Sequence, residues 1–140
     1  LASTDSLEAL VADIDILSLH CPLTRETRDI VNAGLIARMA PRTLIVNTAR
    51  GGLIDEAALA AALADGRIAG AGLDSFANEP PSADGPLWTA PNLIVTPHVG
   101  GVTAGSAVTM AETAARHIIS VLDGNPPDAR SLALPASLAA

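Results

Sequence analysis

Four polar side chains of this sequence can do chemistry together: Arg50, Asp74, Glu79 and His98. Each stands at, or just past, the end of a short apolar run that reads as a strand. Arg offers a planar fork of donors that suits a carboxylate. His is the one side chain that exchanges a proton near neutral pH, and a neighbouring Glu raises its pKa and fixes its tautomer. That kit fits reduction of a 2-oxo acid. Taken singly, each residue has a plain structural reading. A lone His is more often a hydrogen-bonded structural residue, and a lone Arg or Glu a solvated surface charge. Their convergence is what argues for a site, because parallel strands present their carboxyl ends along one sheet edge, where open α/β sheets bind ligands. His20 reads as a polar contact at a strand end and His117 as a position on the last helix. Cys21 reads as a pocket wall rather than a nucleophile, since nothing near it in sequence would activate it.

The elements that must position these groups are organised around residues 43 to 59. Thr43 to Val46 is a β-branched, apolar run that reads as a buried strand, Asn47 to Arg50 turns polar, and Gly51-Gly52 supplies backbone freedom. Asp55 can cap a helix whose Leu59, Ala62 and Leu63 fall at i, i+3 and i+4 and which stops at Gly66. Upstream, Asp5 to Glu8 reads as a capping box for a short helix through Val11. Asp13 to His20 follows as a strand ended by Cys21-Pro22, and Leu23 to Thr27 is a polar loop. Asn32 can cap a helix over Ala33 to Met39, stopped before Pro41.

Downstream, Ile68 to Leu73 reads as a strand that delivers Asp74, and Leu93 to Val95 as one that ends in Thr96-Pro97-His98. Between them Asn78 to Pro91 holds four prolines and a glycine and reads as a loop. Ser106 to Leu122 reads as a long helix with Ala111, Ala114, Ala115, Ile118 and Leu122 on one face, closed by Gly124 and Pro126-Pro127. The last dozen residues read as a loosely ordered tail. Strands alternating with helices predict an α/β fold, Rossmann-like, with a mostly parallel sheet and flanking helices.

Composition narrows the classes. At 140 residues the chain is one domain or a piece of one, with 49% apolar residues available for a core. A net charge of −7 argues against bulk attraction to a polyanion, and Phe76 and Trp88 as sole aromatics leave no base-stacking platform. No nucleic-acid partner is therefore expected. No apolar run approaches the ~20 residues needed to span a bilayer, so no membrane partner is expected either. One cysteine cannot form an internal disulfide and suits a reducing compartment; a soluble, cytoplasmic protein is expected. No metal-ligand set stands out.

Three stretches, Asn47-Thr-Ala-Arg-Gly-Gly-Leu-Ile-Asp-Glu56, Gly72-Leu-Asp-Ser-Phe-Ala-Asn-Glu-Pro80 and Thr96-Pro-His-Val-Gly-Gly101, resemble successive signatures of the D-isomer-specific 2-hydroxyacid dehydrogenases. His20-Cys-Pro-Leu-Thr24 looks like the same family's earlier loop, and the resemblance runs in order from about Leu7 to Leu122. It implies hydride transfer between a nicotinamide cofactor and a small 2-hydroxy or 2-oxo acid. Arg50 would bind the substrate's carboxylate and carbonyl oxygen, His98 would be the general acid-base, and Glu79 would pair with it. Glu79 rather than Asn78 takes that role because the family's acid directly precedes a proline, here Pro80. Asp74 would hold the nicotinamide carboxamide. Cys21, Pro22, Thr27, Thr48, Ala49 and Arg50 would line the cofactor pocket, with His98, Val99, Gly100 and Gly101 along the nicotinamide. A homodimer is also implied.

One departure from the family pattern stands out. The strand and G-x-G-x-x-G turn that seat a pyrophosphate, and the acidic residue that reads the ribose, do not occur in these 140 residues. Gly70-Ala71-Gly72 does not substitute, because it lies inside a strand and opens no helix. Residues 1–124 are accordingly expected to be the C-terminal portion of a dinucleotide-binding domain, with 125–140 returning to a substrate domain. NAD is the expected cofactor, with NADP left open by the missing ribose reader. Two other readings stay open: a dinucleotide-binding corepressor-like interaction module, and an inactive truncated fragment.

Overall fold

The structure, a computed structural model, describes residues 3–126 and 131. It divides into two compact units, Leu1–Gly100 and Gly101–Ala140. Apart from residue 131, the expected tail beyond residue 126, with Pro127 of the expected helix stop, lies outside the described residues.

The first unit holds a four-stranded sheet. Its strands are β1 (Ile16–Leu19), β2 (Leu44–Asn47), β3 (Gly70–Leu73) and β4 (Leu93–Val95), in spatial order β1-β2-β3-β4. Every pairing is parallel, with Leu17 opposite Ile45, Ile45 opposite Ala71 and Ala71 opposite Leu93. β1 reaches β2 through α2 (Ala33–Ile36), β2 reaches β3 through α3 (Glu56–Ala64), and β3 reaches β4 through a 3₁₀ turn at Pro86–Thr89. Each step moves one place in the same direction, so right-handed crossovers bring all three connections to one face. The burial follows. Leu17, Leu19, Ile45 and Leu73 join Leu35, Ile36, Leu59, Leu63 and Leu87 in the core. On the opposite face Ile16, Leu44 and Ile94 stay exposed.

Several helix ends follow side-chain chemistry legible in the sequence. Asp55 takes the Ala57 and Ala58 N–H groups at 3.1 and 3.0 Å and starts α3. Asn32 accepts from Leu35 N–H at 3.0 Å and starts α2, which ends at Ile36 rather than running to Met39. α1 (Leu7–Val11) is capped by Ser6, not Asp5, and no reciprocal box forms, because Glu8 takes the Ser6 hydroxyl instead of a backbone N–H. The proline-rich segment is not all loop: its 3₁₀ turn buries Leu87, and Trp88 stacks at a tilt on Phe76 with ring centroids 5.9 Å apart.

The second unit is built on α4 (Ala104–Leu122). It starts two residues earlier than expected, because Thr103 and Ser106 exchange side-chain bonds with each other's N–H. No residue of α4 is buried, so the expected face of Ala111, Ala114, Ala115, Ile118 and Leu122 is an exposed one. No described helix is long and apolar enough to cross a membrane.

Candidate active site

The carboxyl ends of β2, β3 and β4 deliver the polar residues to one edge, and each is held by backbone as much as by side chains. At the end of β2, Asn47 is fully buried and ties the turn shut. Its Nδ2 donates to the Arg50 carbonyl at 2.9 Å and its Oδ1 accepts from Ala49 N–H at 3.0 Å. Arg50 leaves this turn in an extended conformation, exposed, with Nη1 donating to the Ala49 carbonyl at 2.7 Å. The 3₁₀ turn Gly51–Leu53 then dives into the core. Gly51 and Gly52 are not left-handed; the positive-φ glycines are Gly66 and Gly124. What Gly51 provides is space, since a Cβ there would lie 1.9 Å from the Phe76 carbonyl carbon and 2.4 Å from Ala77 N.

At the end of β3, Asp74 is 4% exposed and its N–H donates to the Asn47 carbonyl at 2.9 Å. Its carboxylate gathers the turn after β4. Oδ1 accepts from the Thr96 hydroxyl and, at 2.9 Å, from Val99 N–H, while Oδ2 accepts from Gly100 N–H at 2.7 Å. These bonds, the Thr96 hydroxyl first and the Gly100 N–H next, hold the Asp74 carboxyl below its ordinary range.

His98 sits inside the clamped turn with φ 55°, a left-handed conformation uncommon for a residue with a Cβ. Its N–H donates to the Thr96 carbonyl at 3.0 Å. Its Nδ1 lies 2.8 Å from Glu79 Oε2 and 3.0 Å from Oε1. Glu79 Oε1 also accepts from Phe76 N–H at 2.9 Å. The Glu79 carboxyl is held below the ordinary glutamate value by the His98 bond first and the Phe76 N–H second. With Nδ1 turned to a carboxylate, the Nε2 of His98 is the ring atom left for other partners.

A groove at the ends of β1 and β2 gathers five of the residues expected around a cofactor, Cys21, Pro22, Thr48, Ala49 and Arg50. His20 and Leu23 line it too, and His20 Nε2 meets Ser18 Oγ at 2.8 Å, a polar contact at the strand end. Thr27 shapes the groove wall from behind: its hydroxyl donates to the Pro22 carbonyl at 2.7 Å and accepts from Thr24 N–H. Asp74, Glu79, His98, Val99 and Gly100 form the second cluster described above. Gly101 belongs to the second unit, where its carbonyl accepts from the Ser106 hydroxyl at 2.8 Å. Among the described residues, no three His, Cys, Asp or Glu side chains gather to hold a metal ion. The sequence alone singles out none of Asn47, Thr96 and Glu56, whose side chains brace the site. A buried amide ending an apolar strand was the one signal that could have found Asn47.

Residues 1–100 match the family described as "D-isomer specific 2-hydroxyacid dehydrogenase, NAD binding domain". A glyoxylate reductase of Thermofilum pendens is 42% identical over 123 residues, which is 88% of this chain and 36% of the relative. The TT0316 protein of Thermus thermophilus superposes with a TM-score of 0.81 at 41% identity, over 87% of this chain and 39% of that one. A D-isomer specific 2-hydroxyacid dehydrogenase of Xanthobacter autotrophicus Py2, solved in complex with NADPH and MES, superposes with a TM-score of 0.70 at 38% identity. That alignment covers 86% of this chain and 49% of that one. The chain thus spans little more than a third of the glyoxylate reductase it matches. The four parallel strands, the residues gathered at their carboxyl edge and the match over residues 1–100 agree: the chain belongs to the D-isomer specific 2-hydroxyacid dehydrogenase family, in its NAD-binding domain.

Proposed function

We propose that the chain serves a soluble, cytoplasmic oxidoreductase that interconverts a small D-2-hydroxy acid and its 2-oxo acid, with Arg50, Glu79 and His98 as its catalytic residues. In this reading residues 1–124 are the C-terminal portion of the dinucleotide-binding domain and 125–140 lead back toward a substrate domain. The observation that carries the reading is the His98–Glu79 contact at 2.8 Å at the carboxyl edge of a parallel sheet, with Nε2 left to face a substrate.

The residues present fit a nicotinamide at this edge. Asp74 spends three of a carboxylate's roughly four acceptor positions on the turn after β4, which leaves one for a carboxamide N–H. Cys21, Pro22, Thr48 and Ala49 would wall the same cofactor, and Thr27 would hold that wall in shape. The reduced nicotinamide, when bound, supplies the hydride. NAD is the cofactor of the family's description, and NADP stays within the proposal because the Xanthobacter relative was solved with NADPH.

The chain's own residues supply the rest. Arg50 presents its planar donors to the carboxylate and the carbonyl oxygen, fixing the 2-oxo acid in one orientation. As the carbonyl carbon gains its new C–H bond, the oxygen gains electron density, and His98 Nε2 gives it a proton to make the hydroxyl. Glu79 faces the positive imidazolium from the Nδ1 side and keeps the ring from turning. In the oxidation direction His98 takes the same proton back. A homodimer is part of the proposal, and sedimentation velocity tests it.

The deciding assay follows nicotinamide absorbance while the polypeptide that carries these residues is offered glyoxylate and larger 2-oxo acids. Turnover is expected, and His98→Asn is expected to lower kcat by roughly 10²–10⁴, the usual worth of one positioned acid-base group. A dinucleotide-binding interaction module would instead bind the cofactor without turnover. Unchanged kcat in His98→Asn would remove His98 from the chemistry.

A further inference from the structure

The backbone from Phe76 N to Ala77 N lies between the Arg50 turn and the His98–Glu79 pair, and three contacts grip it. The Gly51 backbone abuts it so closely that a Cβ at 51 would meet the Phe76 carbonyl oxygen at 2.2 Å. Phe76 N–H donates to Glu79 Oε1 at 2.9 Å. Ala77 N–H donates to Glu56 Oε1 at 2.7 Å, across 21 residues of sequence.

Glu56 is the first residue of α3, where an acidic side chain is ordinarily read as a partner for the helix dipole. Here Asp55 already takes the Ala57 and Ala58 N–H groups, so the Glu56 carboxylate reaches out of the helix to the loop. We infer that Glu56 is a positioning residue, whose carboxylate oxygen fixes the Phe76–Ala77 peptide so that Glu79 meets His98 and both stay in register with Arg50. The inference rests on the reading of Glu79 and His98 as the acid-base pair. Without Glu56 the Ala77 N–H loses its acceptor, the loop from 76 to 79 is free to rotate, and Glu79 loses the geometry that joins Phe76 N–H to the His98 ring.

Glu79 itself can report this. It is faced by His98 at 2.8 Å and by the Asp74 carboxylate from the end of β3, with Glu56 beyond the Ala77 peptide. The His98 and Phe76 bonds hold its carboxyl low, and both depend on where the loop sits. The experiment is a ¹³C NMR titration of the Glu79 carboxyl in this chain, its Glu56→Ala variant and its Glu56→Gln variant. Gln keeps an acceptor oxygen where Oε1 stands and loses only the charge. The Glu79 midpoint is expected to rise toward the ordinary glutamate value in Glu56→Ala and to stay at or below wild type in Glu56→Gln. Removing a negative charge near Glu79 can only lower its midpoint, so a rise in Glu56→Ala reads out geometry. A role confined to the helix dipole predicts that Ala and Gln behave alike. A Glu79 midpoint unmoved in Glu56→Ala, or raised equally in both variants, overturns the inference. If Glu56→Ala does not fold, Glu56→Asp takes its place, with the charge kept and the reach one methylene shorter; the same rise is expected, and its absence overturns the inference.

In the polypeptide that carries these residues, Glu56→Ala is expected to lower kcat for 2-oxo acid reduction roughly tenfold or more while leaving the KM for the cofactor in place, with Glu56→Gln restoring most of the loss. The two arms separate the claims. A wild-type polypeptide that reduces no 2-oxo acid sinks the functional reading but not the titration result. An unmoved titration sinks the positioning role whether or not the enzyme turns over.

Discussion

Gly100 donates its N–H to Asp74 Oδ2 at 2.7 Å, and a Cβ at position 100 would stand 2.8 Å from that same oxygen. Asp74 cannot retreat, because it is buried and its other oxygen holds Thr96 and Val99. The two residues therefore fix the turn that carries His98, and the fixing depends on charge. A carboxyl whose folded pKa lies below its unfolded value of about 3.9 contributes stability that is fully present above the unfolded value. That stability is lost as pH falls through the folded value. The Asp74 carboxyl is of this kind, lowered by the Thr96 hydroxyl first and by the Gly100 N–H next. Asp74→Asn keeps the shape but presents an amide that meets the Gly100 or Val99 N–H as a second donor. The stability gap between the wild-type chain and Asp74→Asn is expected to be widest near neutral pH and to narrow through the acid range as the wild type takes up its proton. Urea melts across that range measure it, and a gap that does not change with pH would show that ionisation is not what secures the turn.

Gly51 makes a sharper steric prediction. The atoms a Cβ would strike belong to the Phe76–Ala77 backbone, which is held by Glu56 and Glu79 and cannot swing away. Gly51→Ala is expected to cost about 2–4 kcal/mol of unfolding free energy, at or beyond the usual range for overpacking. At Gly52 the nearest atom is Leu23 Cδ2 at 2.9 Å, the far end of a flexible side chain, so Gly52→Ala is expected to cost less than about 1 kcal/mol. Equal midpoints for the two variants in denaturant would remove the backbone contact as the reason for glycine at 51.

That contrast marks what the sequence could reveal. The strands were legible because β-branched, apolar runs are short and end in polar or proline residues, and Leu93–Val95 falls where the pattern put it. Asp55 was legible as a cap because an Asp before an apolar-periodic run has few other uses. The reason for Gly51 was not, since its neighbour lies 25 residues on and only the folded chain brings Phe76 beside it. Asp74 was legible as a strand-end carboxylate, but its partners at Thr96, Val99 and Gly100 depend on β3 and β4 being adjacent. The start of α4 was missed for a local reason: Thr103 pairs with a Ser at the third position instead of the Glu or Gln that signals a capping box. The bonding scheme of the candidate site, unlike its membership, is tertiary.

Two buried polar side chains at or just past strand ends should respond to truncation very differently. The Ser75 hydroxyl is buried and has no hydrogen-bond partner among the described residues. Ser75→Ala removes a desolvated group that has no bond to lose, and is expected to be neutral or to stabilise by up to about 1 kcal/mol. Asn47, equally buried, serves the Arg50 carbonyl and the Ala49 N–H. Asn47→Ala strands both groups and opens a small void, and is expected to cost about 2–4 kcal/mol. Thermal or urea melts of the two variants check this, and a destabilised Ser75→Ala would mean that its hydroxyl has a partner, such as a bound water.

Arg50 is the residue whose role differs most between the functional reading and the structural one. In the structure its guanidinium is exposed, with Nη1 resting on the neighbouring Ala49 carbonyl at 2.7 Å, a contact any solvated Arg could make. What distinguishes Arg50 is its mounting: the buried Asn47 holds its carbonyl, and the Gly51 turn behind it is locked against Phe76 and Ala77. A side chain so mounted projects its fork from a fixed backbone at the edge of the sheet. If that fork holds the carboxylate of a 2-oxo acid, Arg50→Lys keeps the charge but gives up the paired, planar donors. The loss of one charge-assisted bond is worth about 1.5–3 kcal/mol, or roughly 10- to 100-fold in affinity. In the polypeptide that carries these residues, Arg50→Lys is therefore expected to raise the KM for a 2-oxo acid by about that factor. The dissociation constant for NADH should change much less, because Cys21, Pro22, Thr48 and Ala49 line the same groove and the substitution leaves them in place. Steady-state kinetics with varied 2-oxo acid, set beside NADH titration by fluorescence, measures the two separately. Equal losses for both ligands, or an unchanged KM, would return Arg50 to the status of a surface charge on a well-built turn.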